Sequence, residues 1–391
     1  MKIAFLGTGF VADYYMASLA NYSGDNYSGA NRAGLELAGA FDRDAARLAQ
    51  FCDYHHVRAY DSVEALLADE SVGIVVNLTT PESHFETSRR ALLAGKHVYC
   101  EKPLAMRFED ARILVELADE LGLTLATAPA NALSAAHSLV AGALDAGRIG
   151  TPRLVYAEME DGAVFRDKWT EWRSRSGAKW PGAHEFEIGC TLEHAGYALS
   201  WLTSLFGPVE SLTAFSALAF PDKGPGTQGL ALAPDFSVGC LAFKSGVVAR
   251  LTSGLAAPKD RSLTILGDNG SITVRDLWDE HSTIHLETEN DRRSLKIRLT
   301  NRLESRLGKF LPWKPTVGRR LTYPATSARK ALPGFPSQID FCAGIAAQAS
   351  AITEKQKPQF SGALALHITE LALALNNARN LPQPYRLKST F

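Results

Sequence analysis

The first twelve residues, Met1-Lys2-Ile3-Ala4-Phe5-Leu6-Gly7-Thr8-Gly9-Phe10-Val11-Ala12, restrict the fold more than any other stretch of the chain. Ile3, Phe5 and Leu6 make an apolar run of the length of a buried strand. A Gly-x-Gly-x-x-Ala turn follows at once, and Asp13–Ala20 then reads as a helix. Strand, glycine turn and helix in that order are the setting in which such a glycine pattern marks a dinucleotide site. Gly7 permits the tight turn, Gly9 lets backbone approach a pyrophosphate, and Ala12 is small enough for close helix–strand packing. The helix N-terminus, entered through Thr8, Phe10 and Val11, offers free N–H groups to phosphate oxygens. The competing reading is an idle turn, which the position directly after a strand disfavours.

The same alternation continues for about 120 residues. Asn21–Gly34 is polar and glycine-rich, with Asn21-Tyr22-Ser23-Gly24-Asp25 followed by the near copy Asn26-Tyr27-Ser28-Gly29-Ala30. A second strand is expected at Leu35–Phe41, ending in Asp42-Arg43-Asp44. An acid at the tip of that strand is where a ribose 2′-hydroxyl binds, and the inserted loop explains why Asp42 lies beyond the usual spacing of roughly 20 residues. Its carboxylate would repel a 2′-phosphate, so NAD is expected, while Arg43 keeps NADP open. Read structurally, Asp42 would cap a helix over Arg43–Tyr54. Strands are expected at Gly73–Leu78, His97–Cys100 and Thr124–Thr127. Helices are expected at Asp61–Asp69, Glu82–Ala94 and Arg107–Leu121, with Pro81 at a first helical position. Such alternation predicts a doubly wound parallel sheet, whose ligands bind outside the carboxyl ends of the strands. The opening turn, Thr79-Thr80-Pro81-Glu82-Ser83-His84 and Glu101-Lys102-Pro103 all fall at such ends, so they should converge on one cleft.

The bulk numbers exclude several alternatives. The chain has 391 residues, of which 46% are hydrophobic and 21% charged, with a formal net charge of −1. That is the composition of a globular protein long enough for two or three domains. It gives no global attraction to nucleic acid or membrane. Five scattered cysteines with no C-x-x-C pair suit reduced core positions, not a disulfide framework or zinc site. No apolar run reaches the roughly 18 residues of a membrane span, and no leader pattern is visible, so a cytoplasmic protein is expected.

Gly7–Ala12, Thr80-Pro81-Glu82-Ser83-His84 and Ala94-Gly95-Lys96-His97-Val98-Tyr99-Cys100-Glu101-Lys102-Pro103-Leu104 together resemble the Gfo/Idh/MocA family of NAD(P)-dependent oxidoreductases. The resemblance implies an N-terminal Rossmann domain, placed here at residues 1–127, with Gly7, Thr8, Gly9, Phe10, Val11, Asp42, Arg43, Thr79, Thr80, Pro81, His84, Glu101 and Lys102 at the cofactor. It implies a C-terminal α/β domain, 128–391, with an open, mostly antiparallel sheet and a final helix that returns to the first domain. Substrates of the family are mostly sugars, sugar derivatives and cyclitols. Its lysine corresponds to Lys102, beside the nicotinamide and the reacting hydroxyl, and Pro103 at that spot often follows a strained or cis bond. The chemistry gives Lys102 a separate rationale: a lysine whose pKa is lowered by burial or cationic surroundings can take a hydroxyl proton or polarise the oxygen. The bland reading is a surface lysine paired to Glu101.

The second domain departs from the family pattern. Asn131 matches a family asparagine at the domain crossing, followed by a helix at Ala135–Ala146 and a strand at Pro152–Glu160. The loop Trp169–Pro181 carries Trp172 and Arg173, residue types that stack on sugar faces and hold hydroxyls. Such tryptophans equally well pack on their own domain. Gly189–Leu202, ending at Leu205-Phe206-Gly207, reads as a helix with Leu192, Ala195, Leu199, Leu202 and Phe206 on one face and Glu193, Tyr197, Ser200 and Ser204 on another. Aligned on Leu205-Phe206-Gly207, Glu193 replaces the family's pocket aspartate, Tyr197 its histidine and Ser200 its last aspartate. Tyr197 is then the expected proton relay, its pKa lowered by Lys102, with Glu193 on a substrate hydroxyl. His194 or His184 could restore an imidazole. Hairpins are expected around Lys244-Ser245-Gly246 and Gly267-Asp268-Asn269-Gly270, in a sheet with one face free for a homo-oligomeric contact, dimer or tetramer. Arg292–Lys330 holds twelve Lys or Arg against the single acid Glu304, which reads as a solvated crossing segment. Helices are expected near Gln338–Glu354 and Ser361–Arg379. In the latter His367 and Glu370 have a metal-pair spacing without a third ligand and read as structural.

Three functions fit these residues. The first is hydride transfer between a nicotinamide and a secondary alcohol or ketone of a carbohydrate. The second is a glycosidase or epimerase that oxidises transiently without net NADH. The third is a non-catalytic NAD-binding regulator, against which the intact Glu101-Lys102-Pro103 argues.

Overall fold

The computed structural model describes residues 1–22, 34–289, 318–324 and 338–391, with a few isolated positions between 291 and 334. Most of the Asn21–Gly34 loop and of the basic Arg292–Lys330 segment therefore lies outside the described residues. Within the latter, Arg319–Arg320 is described as a two-residue strand.

The apolar runs of the first third become five parallel strands, β1 (Lys2–Leu6), β2 (Glu36–Phe41), β3 (Ile74–Asn77), β4 (His97–Cys100) and β5 (Leu125–Thr127), in the order β2-β1-β3-β4-β5. Ile3, Phe5, Ile74, Val75, Val76, Val98 and Tyr99 are fully buried. That is why these strands read as continuous apolar runs without alternation. The helices between them are α1 (Ala12–Leu19), α2 (Ala45–His55), α3 (Val63–Ala68), α4 (His84–Leu93) and α5 (Phe108–Glu120). Asp44, not Asp42, caps α2, accepting the N–H groups of Ala46 and Arg47. The strand order reverses between β1 and β3, and the glycine turn and Thr79-Thr80 leave the carboxyl ends of those two strands. Such a reversal opens a crevice.

Past β5 the chain forms α6 (Ala135–Asp145), β6 (Pro152–Glu160), α7 (Gly182–Ile188) and α8 (Cys190–Phe206). Then come β7 (Val209–Ala217), β8 (Phe236–Phe243), β9 (Val248–Gly254), β10 (Leu263–Gly267), β11 (Gly270–Val274), β12 (Ile284–Thr288), β13 (Arg319–Arg320), α9 (Ala343–Thr353), α10 (Gly362–Asn376) and β14 (Tyr385–Arg386). The second sheet is nine-stranded, ordered β13-β12-β11-β10-β6-β9-β8-β7-β14, and antiparallel except where β6 meets β9. The fold is thus α/β with a Rossmann-like parallel sheet and a second, mostly antiparallel one.

Helix α8 is buried nearly all round. One side packs on the second sheet and the other on α10, so the two faces expected from sequence are both interior. The opposite face of the sheet exposes Leu154, Tyr156, Phe215 and Val248. The returning C-terminal helices tie the domains together: Gln348 of α9 donates to the carbonyls of Val98 and Thr124, and Ala365 of α10 joins the Rossmann core. On α10, His367 Nε2 accepts the Val209 N–H, while Glu370 accepts from Tyr385 Oη and from the Lys388 and Ser389 N–H groups. Both residues are bound into the C-terminal segment.

Candidate active site

A cavity of about 900 Å³ runs from the glycine turn to the first turn of α8, lined by both domains. Its first end is made of backbone. Gly7 has φ +100°, and a Cβ there would sit 2.5 Å from the Leu78 carbonyl oxygen, so only glycine fits. A Cβ at Gly9 would meet no protein atom within 4 Å. That position faces the open cleft beside the N-terminus of α1, a cradle suited to pyrophosphate. Phe10, Val11, Asp42, Arg43, Thr79, Thr80, Pro81, His84, Glu101 and Lys102 line the same cavity. Thr8 is buried behind it, its N–H and Oγ1 donating to Asp42 Oδ2 at 2.7 and 3.0 Å. Asp42 is thereby aimed over the turn, where its carboxylate can reach a ribose diol. His84 is an anchor, with Nδ1 2.7 Å from the Pro103 carbonyl and Nε2 3.0 Å from that of Thr79. Those contacts hold the Thr79–His84 turn against Glu101-Lys102-Pro103, whose Lys102–Pro103 bond is cis.

The other end is made of side chains. Lys102 Nζ lies 2.5 Å from Glu193 Oε2, an ion pair joining the end of β4 to the start of α8. Glu101, the partner in the bland reading, is held instead by Tyr15 Oη at 2.7 Å and the Lys102 N–H at 3.0 Å. Tyr197, one turn along α8, packs on Trp278 at 4.6 Å between ring centroids. The Arg261 guanidinium covers Trp278 at 3.9 Å. Asp161, just past β6, meets His194 Nε2 at 3.2 Å and Arg261 at 3.6 Å, while Arg261 also pairs with Asp276 at 2.7 Å.

These contacts correct the proton chemistry expected from sequence. Burial works to strip Lys102 of its charge, but the facing Glu193 carboxylate, with Tyr197, Glu101 and Glu185 adding to it, outweighs burial, so the ammonium is held well above a lysine's usual pKa. Burial likewise pushes Glu193 up, and Lys102 brings it below the usual carboxylate range. Burial raises the Tyr197 hydroxyl above its usual value, and the nearby Lys102 offsets only part of that. An activated tyrosine relay is therefore replaced by a Lys102–Glu193 pair. Burial lowers the His194 pKa, with Asp161 opposing it.

Of the expected substrate residues, Glu193, His194, Tyr197 and Trp172 line the cavity, and His184 reaches its edge, paired with Glu82 at 2.6 Å. Asn131 and Arg173 do not line it. Asn131 is buried behind α8, donating to the carbonyls of Tyr197 and Leu277 and accepting from Ser200 Oγ. The arginine of Arg173 turns outward onto the carbonyls of Thr170 and Trp172.

Sequence reasoning missed Asp161, Glu185, Arg261 and Trp278, which come from separate segments with no motif, and it missed α7. It also missed a clasp between the domains. Ser176, in the loop before α7, donates through N–H and Oγ to Asp13 Oδ2 at 3.2 and 2.8 Å. Arg47 donates to the Ser176 carbonyl and to Ser176 Oγ, and through Nε to the Thr8 carbonyl at 2.6 Å. Asp13 is held on its other oxygen by His55 at 2.5 Å. The second-domain loop is thus fastened directly beside the glycine turn. Paired charges flanking a hydrophobic run are the only sequence signal for such a clasp, and they are too common to single out.

Comparison with known proteins agrees with this architecture. Residues 1–128 match the model described as an oxidoreductase family with an NAD-binding Rossmann fold, and residues 137–273 match the GFO/IDH/MocA C-terminal domain. The chain is 30% identical to 1,5-anhydro-D-fructose reductase of Ensifer adhaerens over 70% of its own length and 79% of that protein's. Its fold is similar to that of the aldose-aldose oxidoreductase of Caulobacter crescentus, with TM-score 0.72, 17% identity and 99% of both chains covered. The WlbA dehydrogenase of Bordetella pertussis, solved with NADH and UDP-GlcNAcA, superposes with TM-score 0.70 at 20% identity over 99% of this chain and 98% of that one. Among the described residues no helix is long and apolar enough to cross a membrane. The chain belongs to the Gfo/Idh/MocA family of NAD(P)-dependent oxidoreductases, as a dehydrogenase or reductase.

Proposed function

We propose that the protein transfers a hydride between NAD and a secondary hydroxyl, or the corresponding ketone, of a sugar, sugar derivative or cyclitol. The observation that carries this reading is the Lys102–Glu193 pair at 2.5 Å on the wall of the cavity that begins at the glycine turn. Bound nicotinamide supplies the hydride chemistry. Lys102 and Glu193 supply the proton: in ketone reduction the ammonium donates to the oxygen, and in alcohol oxidation the hydroxyl proton passes to Lys102 Nζ as Nζ gives its own to Glu193. Asp42 favours NAD because its carboxylate would face a 2′-phosphate. The curated relative named for 1,5-anhydro-D-fructose and the structural relative named for aldoses support a carbohydrate substrate. The exposed Leu154, Tyr156, Phe215 and Val248 on one sheet face support a homo-oligomer. Absorbance at 340 nm with NAD or NADH and a panel of sugars, ketosugars and cyclitols tests the reaction. Absence of NAD turnover with every member, or full activity in Lys102→Ala, overturns it.

A redox-neutral reading, epimerisation or glycoside cleavage through transient oxidation, has its own support in the clasp beside the glycine turn. A cofactor fastened in by Arg47, Asp13 and Ser176 suits a cycle that oxidises and re-reduces the same substrate. Product appearing by mass spectrometry without NADH accumulation would select it.

A further inference from the structure

One acid on the cavity wall forms no salt bridge among the described residues. Glu185, on α7, lines the cavity near Glu193 and hydrogen-bonds the side chain of Trp180. The neighbouring charges are already matched: Glu193 by Lys102 at 2.5 Å, and Arg261 by Asp161 and Asp276. Arg47 is engaged by Thr8 and Ser176, and Lys179 and Lys259 lie exposed at the rim. Among the described residues, α7 and the start of α8 bring two carboxyl groups to the cavity, Glu185 and Glu193, and Lys102 at the end of β4 faces Glu193.

We infer that this wall selects a substrate whose ring is uncharged, discriminating against sugar acids, with Glu185 and Trp180 as specificity-determining residues. The inference rests on the proposed reaction and names its substrate class more narrowly. A carboxylate on the ring, brought beside Lys102, would enter the field of Glu193, which already holds the Lys102 ammonium, and like charges in such a site are strongly unfavourable. Glu185 itself reports that field: burial, and then the Glu193 charge, push its pKa well above the usual carboxylate value. A neutral ring suffers no such penalty. Its hydroxyls can donate to Glu193 and hydrogen-bond with Glu185. Its C–H face can lie on Trp172 and Trp180, whose ring centroids are 4.9 Å apart.

The test measures binding of matched pairs to the protein saturated with NAD, followed by tryptophan fluorescence: glucose and glucuronate, galactose and galacturonate, UDP-glucose and UDP-glucuronate. At least one neutral member should bind roughly 100-fold or more tighter than its acid. Glu185→Lys, checked for folding by thermal melting, should shrink that ratio about tenfold or more. The wild-type comparison stands whether or not the variant folds. Equal or tighter binding of the acids overturns the inference, as does binding by no member of any pair. Neutral sugars that bind selectively but are never oxidised would instead sink the proposed reaction, whereas turnover without discrimination sinks only this inference.

Discussion

The two ends of the cavity are built by different means. At the glycine turn the contacts are backbone groups at the carboxyl ends of β1 and β3, with the tip of β2 alongside, positioned by a parallel sheet whose strands are fully buried. Near Lys102 the contacts are side chains from α7, α8 and the segments around Asp161, Arg261 and Trp278, locked by charged contacts of which one, Lys102–Glu193, crosses the domain boundary. Backbone geometry changes little with the identity of most residues, so the first end tolerates divergence. Charge pairs depend on each member, so the second end can be retuned by a single substitution.

That contrast can be broken most sharply at Lys102. Lys102→Ala should cost about 10³-fold in kcat while NAD binding falls far less, because the backbone cradle remains. Single-turnover kinetics and NAD titration separate the two effects. Glu193→Gln should cost about 10²-fold and also change the pH profile. In the wild-type protein Lys102 stays an ammonium to high pH. Without Glu193 the largest charge opposing burial is gone and the Lys102 pKa falls, so ketone reduction should lose activity as pH rises through the alkaline range while alcohol oxidation gains. Unchanged pH–rate profiles in both directions would show that the pair does not act as a unit.

The clasp offers a smaller effect at the cofactor end. Ser176→Ala removes hydrogen bonds to Asp13 and from Arg47, each involving a charged group, and should speed NAD release about tenfold. Stopped-flow fluorescence reads this directly, and an unchanged release rate would mean that the loop does not gate the cofactor.

The smallest expected effect lies outside the cavity. Glu160 is buried, its Oε2 has no partner among the described residues, and burial lifts its pKa from 4.5 to about 6. The native state therefore favours the protonated acid, an advantage complete below pH 4.5 and lost as pH rises through 6. Glu160→Gln should stabilise the protein at pH 7.5 by about 1–2 kcal/mol, and by nearly nothing at pH 4.5. Thermal melts at the two pH values decide it.

Much of the fold was legible because its signals are local. β4 matches the expected His97–Cys100, and β6 matches Pro152–Glu160, since each is an apolar or alternating run bounded by breakers. Lys102 and Glu193 were legible as separate candidates. Their pairing was not, for they are 91 positions apart and meet only when α8 is seated against the Rossmann domain. Asn131 misled because an amide that satisfies buried carbonyls looks, in sequence, like one that binds a ligand.

The sequence by itself determined the strand–turn–helix order, the glycines that only a close backbone approach requires, and the acid at the tip of β2. Those depend on φ/ψ limits and side-chain volume, which act over a few residues. Tertiary structure alone decided that Lys102 is an ammonium and not a free base, that Tyr197 is not activated, and that Asp13, Arg47 and Ser176 fasten one domain to the other. Ionisation depends on burial and on which charge stands within a few ångströms, and both are set by how distant segments pack.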